Sequence, residues 1–225
     1  MPTSLTEQPQ DGRPALTAQL LETGVMAILR APTARYVELA VNTLVDAGIT
    51  CIELTLTTPG ALDELTKLAR ALPSTVALGA GTVITAQQAA DALDAGAGFL
   101  VAPALCPDVQ AVATARGVPF YPGAWTPNEV LTAWQGGAAA VKLFPAASGG
   151  SSHLGRIRDP LPDVPLVPTG GVHLQDVSDY VKTGAVAVGV GSPLLHDVLI
   201  DGNTADLSKR ARKLLNAVES GRAGR

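Results

Sequence analysis

The chain has 225 residues, of which 47% are hydrophobic, 16% charged and 4% aromatic, so small aliphatic side chains must fill its core. Such a composition suits a tightly wound α/β protein better than an aromatic-centred β-sandwich. The net charge of −4, without a basic stretch in the body of the chain, argues against nucleic acid or a membrane surface as a partner. Two cysteines, no secretory signal and no apolar run long enough to span a bilayer predict a cytoplasmic protein.

The two ends of the chain differ from its middle. Residues 1–13 are polar and contain three prolines, and we predict that they and residues 220–225 are flexible. Residues 14–219 repeat one pattern of amphipathic helix, glycine and short apolar strand, with a period of roughly 19–24 residues. This period accommodates one helix, one strand and two short loops, so residues 14–219 are predicted to form a single domain.

Strands and helices are predicted to alternate along this domain. The strands are predicted at 25–29, 51–56, 75–79, 98–102, 118–121, 139–144, 166–168 and 185–190. The helices are predicted near 34–47, 62–71, 86–95, 107–116, 127–135, 174–183 and 205–220, with an ambiguous, glycine-rich segment at 148–159. This order favours an α/β fold, a (β/α)8 TIM barrel with an extra N-terminal helix. An open doubly wound sheet is the alternative, but its glycine-rich first loop is missing here.

A lysine stands in the middle of the sixth predicted strand. Lys142 lies in an apolar run between Gly137 and Pro145. Burying an ammonium group without a partner costs several kcal/mol or more, so such a group tends to release its proton. A neutral amine attacks carbonyl groups and forms Schiff bases. The alternative is a lysine at a strand end, with its stem on apolar surface and its head in water.

Strand parity predicts a carboxyl group in the same interior. Ile52 and Leu54 share one parity and are expected to face the helices, so Glu53 faces inward on the second strand. Lys142 faces inward on the sixth strand by the same reasoning. A buried ion pair is one interpretation, although such pairs stabilise weakly. The other interpretation is an amine nucleophile beside a proton shuttle.

Glycine-rich loops follow the last two predicted strands, at residues 168–171 and 189–192. Barrels commonly hold a phosphate on backbone N–H groups of these two loops. Glycines such as Gly191 let the backbone approach a ligand, while Thr169 and Ser192 add hydroxyl groups. Arg30, which closes the first strand, is either a bidentate ligand for a carboxylate or a surface arginine.

Metal chemistry is not predicted. His153, His173 and His196 lie in predicted loops and lack the spacing of metal ligands, so we do not expect a metal. Chemistry carried by Lys142 and Glu53 needs no cofactor, so none is expected. Cys106 precedes Pro107 without an evident base beside it, and it is interpreted as a packed residue rather than a nucleophile.

Five stretches resemble the 2-keto-3-deoxy-6-phosphogluconate / 4-hydroxy-2-oxoglutarate aldolase family, the class I pyruvate aldolases on a (β/α)8 barrel. Their order is that of the family and they span roughly residues 20–215. The Lys-x-Phe-Pro and Thr-Gly-Gly-Val elements are specific when they occur together. The stretches are Ile-Glu-Leu-Thr-Leu at 52–56, Gly-Ala-Gly-Thr at 79–82, Tyr-Pro-Gly at 121–123, Val-Lys-Leu-Phe-Pro at 141–145 and Pro-Thr-Gly-Gly-Val at 168–172.

The resemblance implies a metal-independent lyase that cleaves a 2-keto-4-hydroxy acid to pyruvate and an aldehyde such as glyceraldehyde 3-phosphate. Candidate substrates are 2-keto-3-deoxy-6-phosphogluconate, its galactonate epimer and 4-hydroxy-2-oxoglutarate. Lys142 would be the Schiff-base lysine and Glu53 the general acid and base, in a cytoplasmic homotrimer. By the same likeness Arg30 and Thr82 would hold the pyruvyl carboxylate, Pro122 and Phe144 would line the pocket, and Gly170, Gly171 and Ser192 would hold the phosphate.

The chain departs from the family at one position. Members acting on the gluconate substrate usually carry an arginine in a Thr-Leu-Arg-Thr stretch, where this chain has Thr57. The ending Ala-Ile-Leu-Arg at 27–30 is more similar to members that act on the galactonate epimer or related keto acids, where a first-strand arginine does this work. Two other functions stay open: a phosphosugar isomerase or epimerase using Glu53 as base, and a catalytically silent barrel that binds a phosphorylated metabolite.

Overall fold

The computed structural model describes residues 12–224, in which short parallel strands alternate with helices. The strands are β1 (Val25–Leu29), β2 (Cys51–Thr55), β3 (Ala77–Gly81), β4 (Leu100–Val101), β5 (Phe120–Tyr121), β6 (Gly123–Ala124), β7 (Val141–Leu143), β8 (Leu166–Pro168) and β9 (Val188–Val190). The helices are α1 (Ala18–Thr23), α2 (Val37–Asp46), α3 (Ala61–Ala71), α4 (Ala86–Asp94), α5 (Pro107–Arg116), α6 (Pro127–Gln135), α7 (Gly150–Arg158), α8 (Val177–Lys182), α9 (Ser192–Leu195), α10 (Val198–Asp201) and α11 (Leu207–Ala223). Short 3-10 turns occur at Ala34–Tyr36 and Ala146–Ser148.

The strands form two parallel sheets that adjoin on both sides. One has the order β5-β4-β3-β2-β1-β9, so that β1 lies between β2 and the last strand, and the other has the order β6-β7-β8. Pro122 alone separates β5 from β6. On the opposite side Thr169 pairs with Gly189, and the Val186 N–H donates to the Leu166 carbonyl at 3.0 Å. The curled parallel sheet with intervening helices confirms the predicted α/β class.

Capping residues determine where the helices begin and end. At the start of α6 the Thr126 hydroxyl accepts the Glu129 N–H at 3.3 Å, while the Glu129 carboxylate accepts the Thr126 N–H at 2.8 Å. Pro127 adds a fixed φ at the first helical position. The predicted bounds of α6 and of α5, which also starts with a proline, are confirmed.

Several bounds differ from the predictions. β3 begins and ends two residues later than expected, because its glycines pack inside the sheet rather than form a turn. The C-terminal helix continues past residue 220 to Ala223, and Arg222 donates to the carbonyls of Leu21 and Glu22, so most of the segment predicted to be flexible is helical. Residues 1–11 and 225 lie outside the described residues. Among residues 12–224 no helix is both long and apolar enough to cross a membrane.

The buried side chains form two clusters, as strand parity predicts. The larger lies between the strands and the helices and includes Ile52, Leu54 and Val141. The smaller, which we call the inner cluster, lies on the opposite face of the strands. It comprises Leu20, Met26, Cys51, Phe99, Val101, Tyr121, Ala139, Ala140, Val167 and Ala187.

One end of the inner cluster is closed by α1 and the segment before it. Leu20 of α1 is fully buried there. The Tyr121 hydroxyl lies 2.6 Å from the Thr17 hydroxyl and accepts the Thr17 N–H at 3.0 Å. The Phe99 and Tyr121 rings pack edge to face, with centroids 5.7 Å apart. We call this region the closed end; its buried polar hydroxyl is fully paired.

Candidate active site

A cleft of about 420 Å³ opens at the carboxyl ends of the strands, opposite the closed end. Residues from or just after β1, β2, β7, β8 and β9 line it, so side chains distant in sequence meet in one space. In parallel α/β sheets, ligands bind at the carboxyl ends of the strands. Predicted site residues that line the cleft are Arg30, Glu53, Lys142, Phe144, Thr169, Gly170, Gly171, Gly191 and Ser192.

Lys142 lies at the centre of β7 with its amine directed into the cleft. Its backbone pairs with Gly123 on one side and Val167 on the other, and the residue is only 7% exposed. The ammonium nitrogen stands 5.2 Å from the centroid of the Phe144 ring. The alternative of a strand-end lysine with its head in bulk water is therefore wrong.

Glu53 lies on β2, is 1% exposed, and lines the same cleft as Lys142. Neither of its carboxylate oxygens has a hydrogen-bond partner among residues 12–224. Burial raises the pKa of Glu53, while the positive charges of Lys142 and Arg30 lower it by a smaller amount. Since burial dominates, the pKa of this carboxyl group lies above its ordinary value, and a raised pKa suits a group that both gives and takes a proton.

The glycines of β3 provide the space that Glu53 and the inner cluster occupy. A Cβ atom at Gly81 would collide with the Glu53 carboxylate, and one at Gly79 would collide with the Phe99 ring. Glycine weakens a strand, yet β3 contains both of these glycines. Packing outweighs that preference, because any side chain at these positions would displace the ring or the acid.

Arg30 and Thr82 are joined at the mouth of the cleft. The Arg30 guanidinium donates to the Thr82 hydroxyl at 3.3 Å, and Thr82 has a left-handed backbone with φ of 58°. Only Arg30 of the two lines the cleft itself. Pro122, predicted to line the pocket, is not among the lining residues; its carbonyl accepts the Lys142 N–H at 2.9 Å and so supports the strand.

The two predicted phosphate loops lie side by side. Gly170 and Gly171 have φ values of 90° and 73°, and a Cβ at Gly170 would meet the Phe144 ring at 2.7 Å. This conformation requires glycine and leaves the backbone close to the cleft. The Thr169 hydroxyl donates to the Val167 carbonyl at 3.2 Å, so it is engaged within the strand, whereas Ser192 is exposed.

Thr57, the position at which the sequence departs from the gluconate-type pattern, belongs to a small group of hydroxyls. Its hydroxyl lies 3.1 Å from that of Thr55, which lies 3.4 Å from that of Thr58. The Thr58 hydroxyl accepts the Ala31 N–H at 3.1 Å. Thr57 itself does not line the cleft, so Arg30 is the guanidinium present there.

Two ionisable residues of the cleft lining were missed as site candidates by sequence reasoning. His173 and His196 were considered only as metal ligands, yet both line the cleft, His173 on the loop after β8 and His196 directly after α9. The position of His173 two residues after a Gly-Gly pair was an available signal. The position of His196 depends on the turn of α9, which the strand and helix periodicity does not predict.

Comparison with known proteins gives one consistent family. The family model described as KDPG and KHG aldolase matches residues 16–210. A probable 2-dehydro-3-deoxy-6-phosphogalactonate aldolase of Rhizobium meliloti is 33% identical over 201 residues, which is 89% of this chain and 93% of that protein.

Two solved structures extend this similarity to the fold. A 4-hydroxy-2-oxoglutarate / 2-dehydro-3-deoxyphosphogluconate aldolase superposes with a TM-score of 0.78 and 36% identity, covering 89% of this chain and 97% of the other. A KDPG aldolase of Legionella pneumophila, with pyruvate captured as a covalent carbinolamine, superposes with a TM-score of 0.79 at 27% identity, covering 92% of this chain and 98% of the other.

Proposed function

Because the chain belongs to the KDPG and KHG aldolase family, we propose that it is a class I aldolase. It cleaves a 6-phosphorylated 2-keto-4-hydroxy acid to pyruvate and an aldehyde such as glyceraldehyde 3-phosphate. The observation that carries this proposal is the meeting of a buried amine, Lys142, and a buried, unpaired carboxyl group, Glu53, in one cleft.

The reaction follows from the chemistry of these two groups. The neutral amine of Lys142 attacks the C2 ketone, and loss of water gives a protonated imine that withdraws electrons from C3. Glu53 takes the proton of the C4 hydroxyl, the C3–C4 bond breaks, and the aldehyde leaves. Glu53 then protonates the enamine at C3, and water hydrolyses the imine to release pyruvate. These steps require only Lys142, Glu53 and water, so we propose a metal-independent enzyme.

The mouth of the cleft orients the substrate. Arg30, held by Thr82, binds the carboxylate of the keto acid, and Phe144 packs against its carbon chain. The backbone N–H groups of Gly170 and Gly171, with the Ser192 hydroxyl, bind the distal phosphate. The first-strand arginine and Thr57 favour the galactonate-type substrate or a related keto acid, and the similarity to the Rhizobium meliloti aldolase supports the same choice.

The proposal extends to the closure of the barrel and to the oligomeric state. We propose that the strands close into a complete (β/α)8 barrel with α1 as an extra N-terminal helix, in a cytoplasmic homotrimer. The hydrogen bonds between β8 and the segment before β9 support closure on one side. The short connection through Pro122 supports it on the other.

Trapping of the imine tests the mechanism. Borohydride with pyruvate is expected to reduce a stable adduct onto Lys142, visible as a mass shift on the peptide that contains it. An adduct on Lys67, Lys182, Lys209 or Lys213 instead, or none, would contradict the proposal.

A panel of retro-aldol assays tests the substrate. Pyruvate release, coupled to lactate dehydrogenase, is measured with the gluconate-derived, galactonate-derived and hydroxyglutarate-type keto acids, with EDTA present to test metal independence. Solvent-proton exchange into a sugar phosphate without trapping would indicate an isomerase. Thermal stabilisation by sugar phosphates without pyruvate release would indicate a binding protein.

A further inference from the structure

Two histidines stand at the mouth of the cleft without an assigned task. His173 lies on the loop after β8 and His196 directly follows α9, and both are exposed and line the cleft that contains Lys142. In the described part of the chain neither imidazole makes a hydrogen bond or an ion pair. By contrast, the ring of His153 stacks on Trp125 at 4.0 Å and is 2.9 Å from the Trp125 carbonyl.

The backbone at His196 is held in an unusual conformation. Within residues 12–224 only Thr82 and His196 have a positive φ without being glycine, and both stand beside this cleft. At His196 φ is 48° and ψ is −129°, a region that side chains with a Cβ rarely adopt. Such strain persists only where the surroundings enforce it, and it concentrates at functional sites.

Contacts from another helix enforce this conformation. The Arg210 guanidinium of α11 donates to the carbonyls of Leu194 and Leu195, at 2.6 and 3.4 Å. The His196 N–H donates to the Ser192 carbonyl at 2.8 Å, which closes the turn of α9. The imidazole of His196 is therefore carried by a braced turn rather than by a free loop.

The charges in the cleft favour an anion. Its ionisable lining groups are Arg30, Lys142, the two histidines and Glu53, and the one acid among them is buried with a raised pKa. The two histidines line the same cleft as Gly170, Gly171 and Ser192, and their imidazole N–H groups are hydrogen-bond donors. A dianionic group is the ligand that this set of donors suits.

We propose that His173 and His196 are specificity-determining residues that select keto acids carrying a terminal phosphate. The proposal rests on the proposed function, since it assigns the far end of the same substrate. The histidines bind the phosphate oxygens together with the backbone N–H groups of the loops, and they take no part in the chemistry at C2 to C4. They therefore affect the choice of substrate and leave the cleavage step unchanged.

The test is a comparison of two substrates that differ in the phosphate alone. His173→Ala, His196→Gly and the double variant are assayed with 2-keto-3-deoxy-6-phosphogalactonate and with unphosphorylated 2-keto-3-deoxygalactonate. Glycine at 196 accepts the positive φ, so this variant keeps the turn. The double variant is expected to lose roughly tenfold to a hundredfold in kcat/KM for the phosphorylated substrate, mostly through KM, and less than about twofold for the other.

His153→Gln is the matched control, because this histidine lies outside the cleft lining, and it should keep the wild-type ratio of the two substrates. An equal loss for both substrates in the double variant, or no loss for either, would overturn the proposal. If the wild-type protein releases no pyruvate, the proposed function fails, and thermal stabilisation by inorganic phosphate then tests whether the two histidines bind phosphate. Loss of this stabilisation in the double variant but not in His153→Gln would support phosphate binding by His173 and His196. Unchanged stabilisation in the double variant would refute it.

Discussion

The face of the strands that carries the inner cluster has two ends. The buried polar group is hydrogen-bonded at the closed end and has no hydrogen-bond partner among the described residues at the cleft. At the closed end the Tyr121 hydroxyl is paired with both the N–H and the hydroxyl of Thr17. At the cleft both oxygens of Glu53 are buried and have no partner among the described residues, with Lys142 close enough to affect the pKa of Glu53. Tyr121 on β5 and Glu53 on β2 belong to the same sheet, so one sheet carries both a paired and an unpaired buried polar group.

The contrast shows that the unpaired carboxyl group of Glu53 at the cleft lowers the stability of the folded protein. A buried polar group without a partner costs about 1–3 kcal/mol, and more if it is charged. Folding alone would favour an apolar residue at position 53, just as it favours Met26 and Phe99 deeper in the inner cluster. The acid is retained at the end that opens to substrate, where an unpaired group is available for chemistry.

Removing the amine is the largest expected perturbation of the open end. Lys142→Met keeps most of the side-chain volume and abolishes imine formation, so kcat should fall by at least about 10⁴-fold. The free energy of unfolding should change by less than about 2 kcal/mol, because the volume is conserved and Glu53 can hold its proton. Pyruvate release and urea denaturation measure the two effects. A large loss of stability with activity retained would show that Lys142 is structural.

Neutralising the acid separates the two catalytic roles. Glu53→Gln should lower kcat by about 10²- to 10⁴-fold, because the amide cannot transfer the C4 hydroxyl proton. Borohydride should still trap pyruvate on Lys142, although more slowly. Loss of trapping together with unfolding would indicate that Glu53 acts on the fold instead.

The same variant gives a pH dependence of stability. Because the pKa of Glu53 is raised in the folded protein, the folded chain binds this proton more tightly than the unfolded chain. The stabilisation is complete below the ordinary pKa of a glutamate, about 4.5, and is lost as pH rises through the folded pKa. The stability of Glu53→Gln relative to wild type should therefore rise with pH above this value, by at most about 1.4 kcal/mol per pH unit.

Urea denaturation between pH 4 and 8 measures this difference. It should level off once the pH exceeds the folded pKa. A difference that stays constant over the range would mean that the carboxyl group is not desolvated in solution.

The smallest expected effect is at the closed end. Tyr121→Phe removes a hydroxyl with two hydrogen-bonding contacts to Thr17, so the free energy of unfolding should fall by about 1–2 kcal/mol. The kcat should stay within about twofold, because the change is remote from the cleft. Thr17→Val and the double variant complete a cycle that isolates the pair. A change in kcat as large as that of Glu53→Gln would mean that the two ends are not independent.

Much of this arrangement is predictable from local patterns. Parity along β2 and β7 directs Glu53 and Lys142 inward, because alternate side chains face opposite sides of a strand. Proline and glycine bound α5 at 107–116, since one fixes the first helical φ and the other takes the left-handed conformation at the end. These features depend on neighbours within a few residues.

The features that were missed depend on contacts across the chain. The role of Gly81 follows from the Glu53 carboxylate, which lies on the adjacent strand. The orientation of His196 depends on Arg210, a residue of another helix.

The position of β1 has a consequence for the protein while it is being synthesised. β1 pairs on one side with β2 and on the other with β9, which is about 160 residues further along the chain. At typical rates of translation the ribosome takes roughly 10–30 s to add that length. During this interval the nascent sheet has an unpaired edge at β1, with the apolar residues Val25, Met26 and Ala27 in it. We therefore expect chaperones to bind the growing chain at this edge until β9 has been synthesised and pairs with β1.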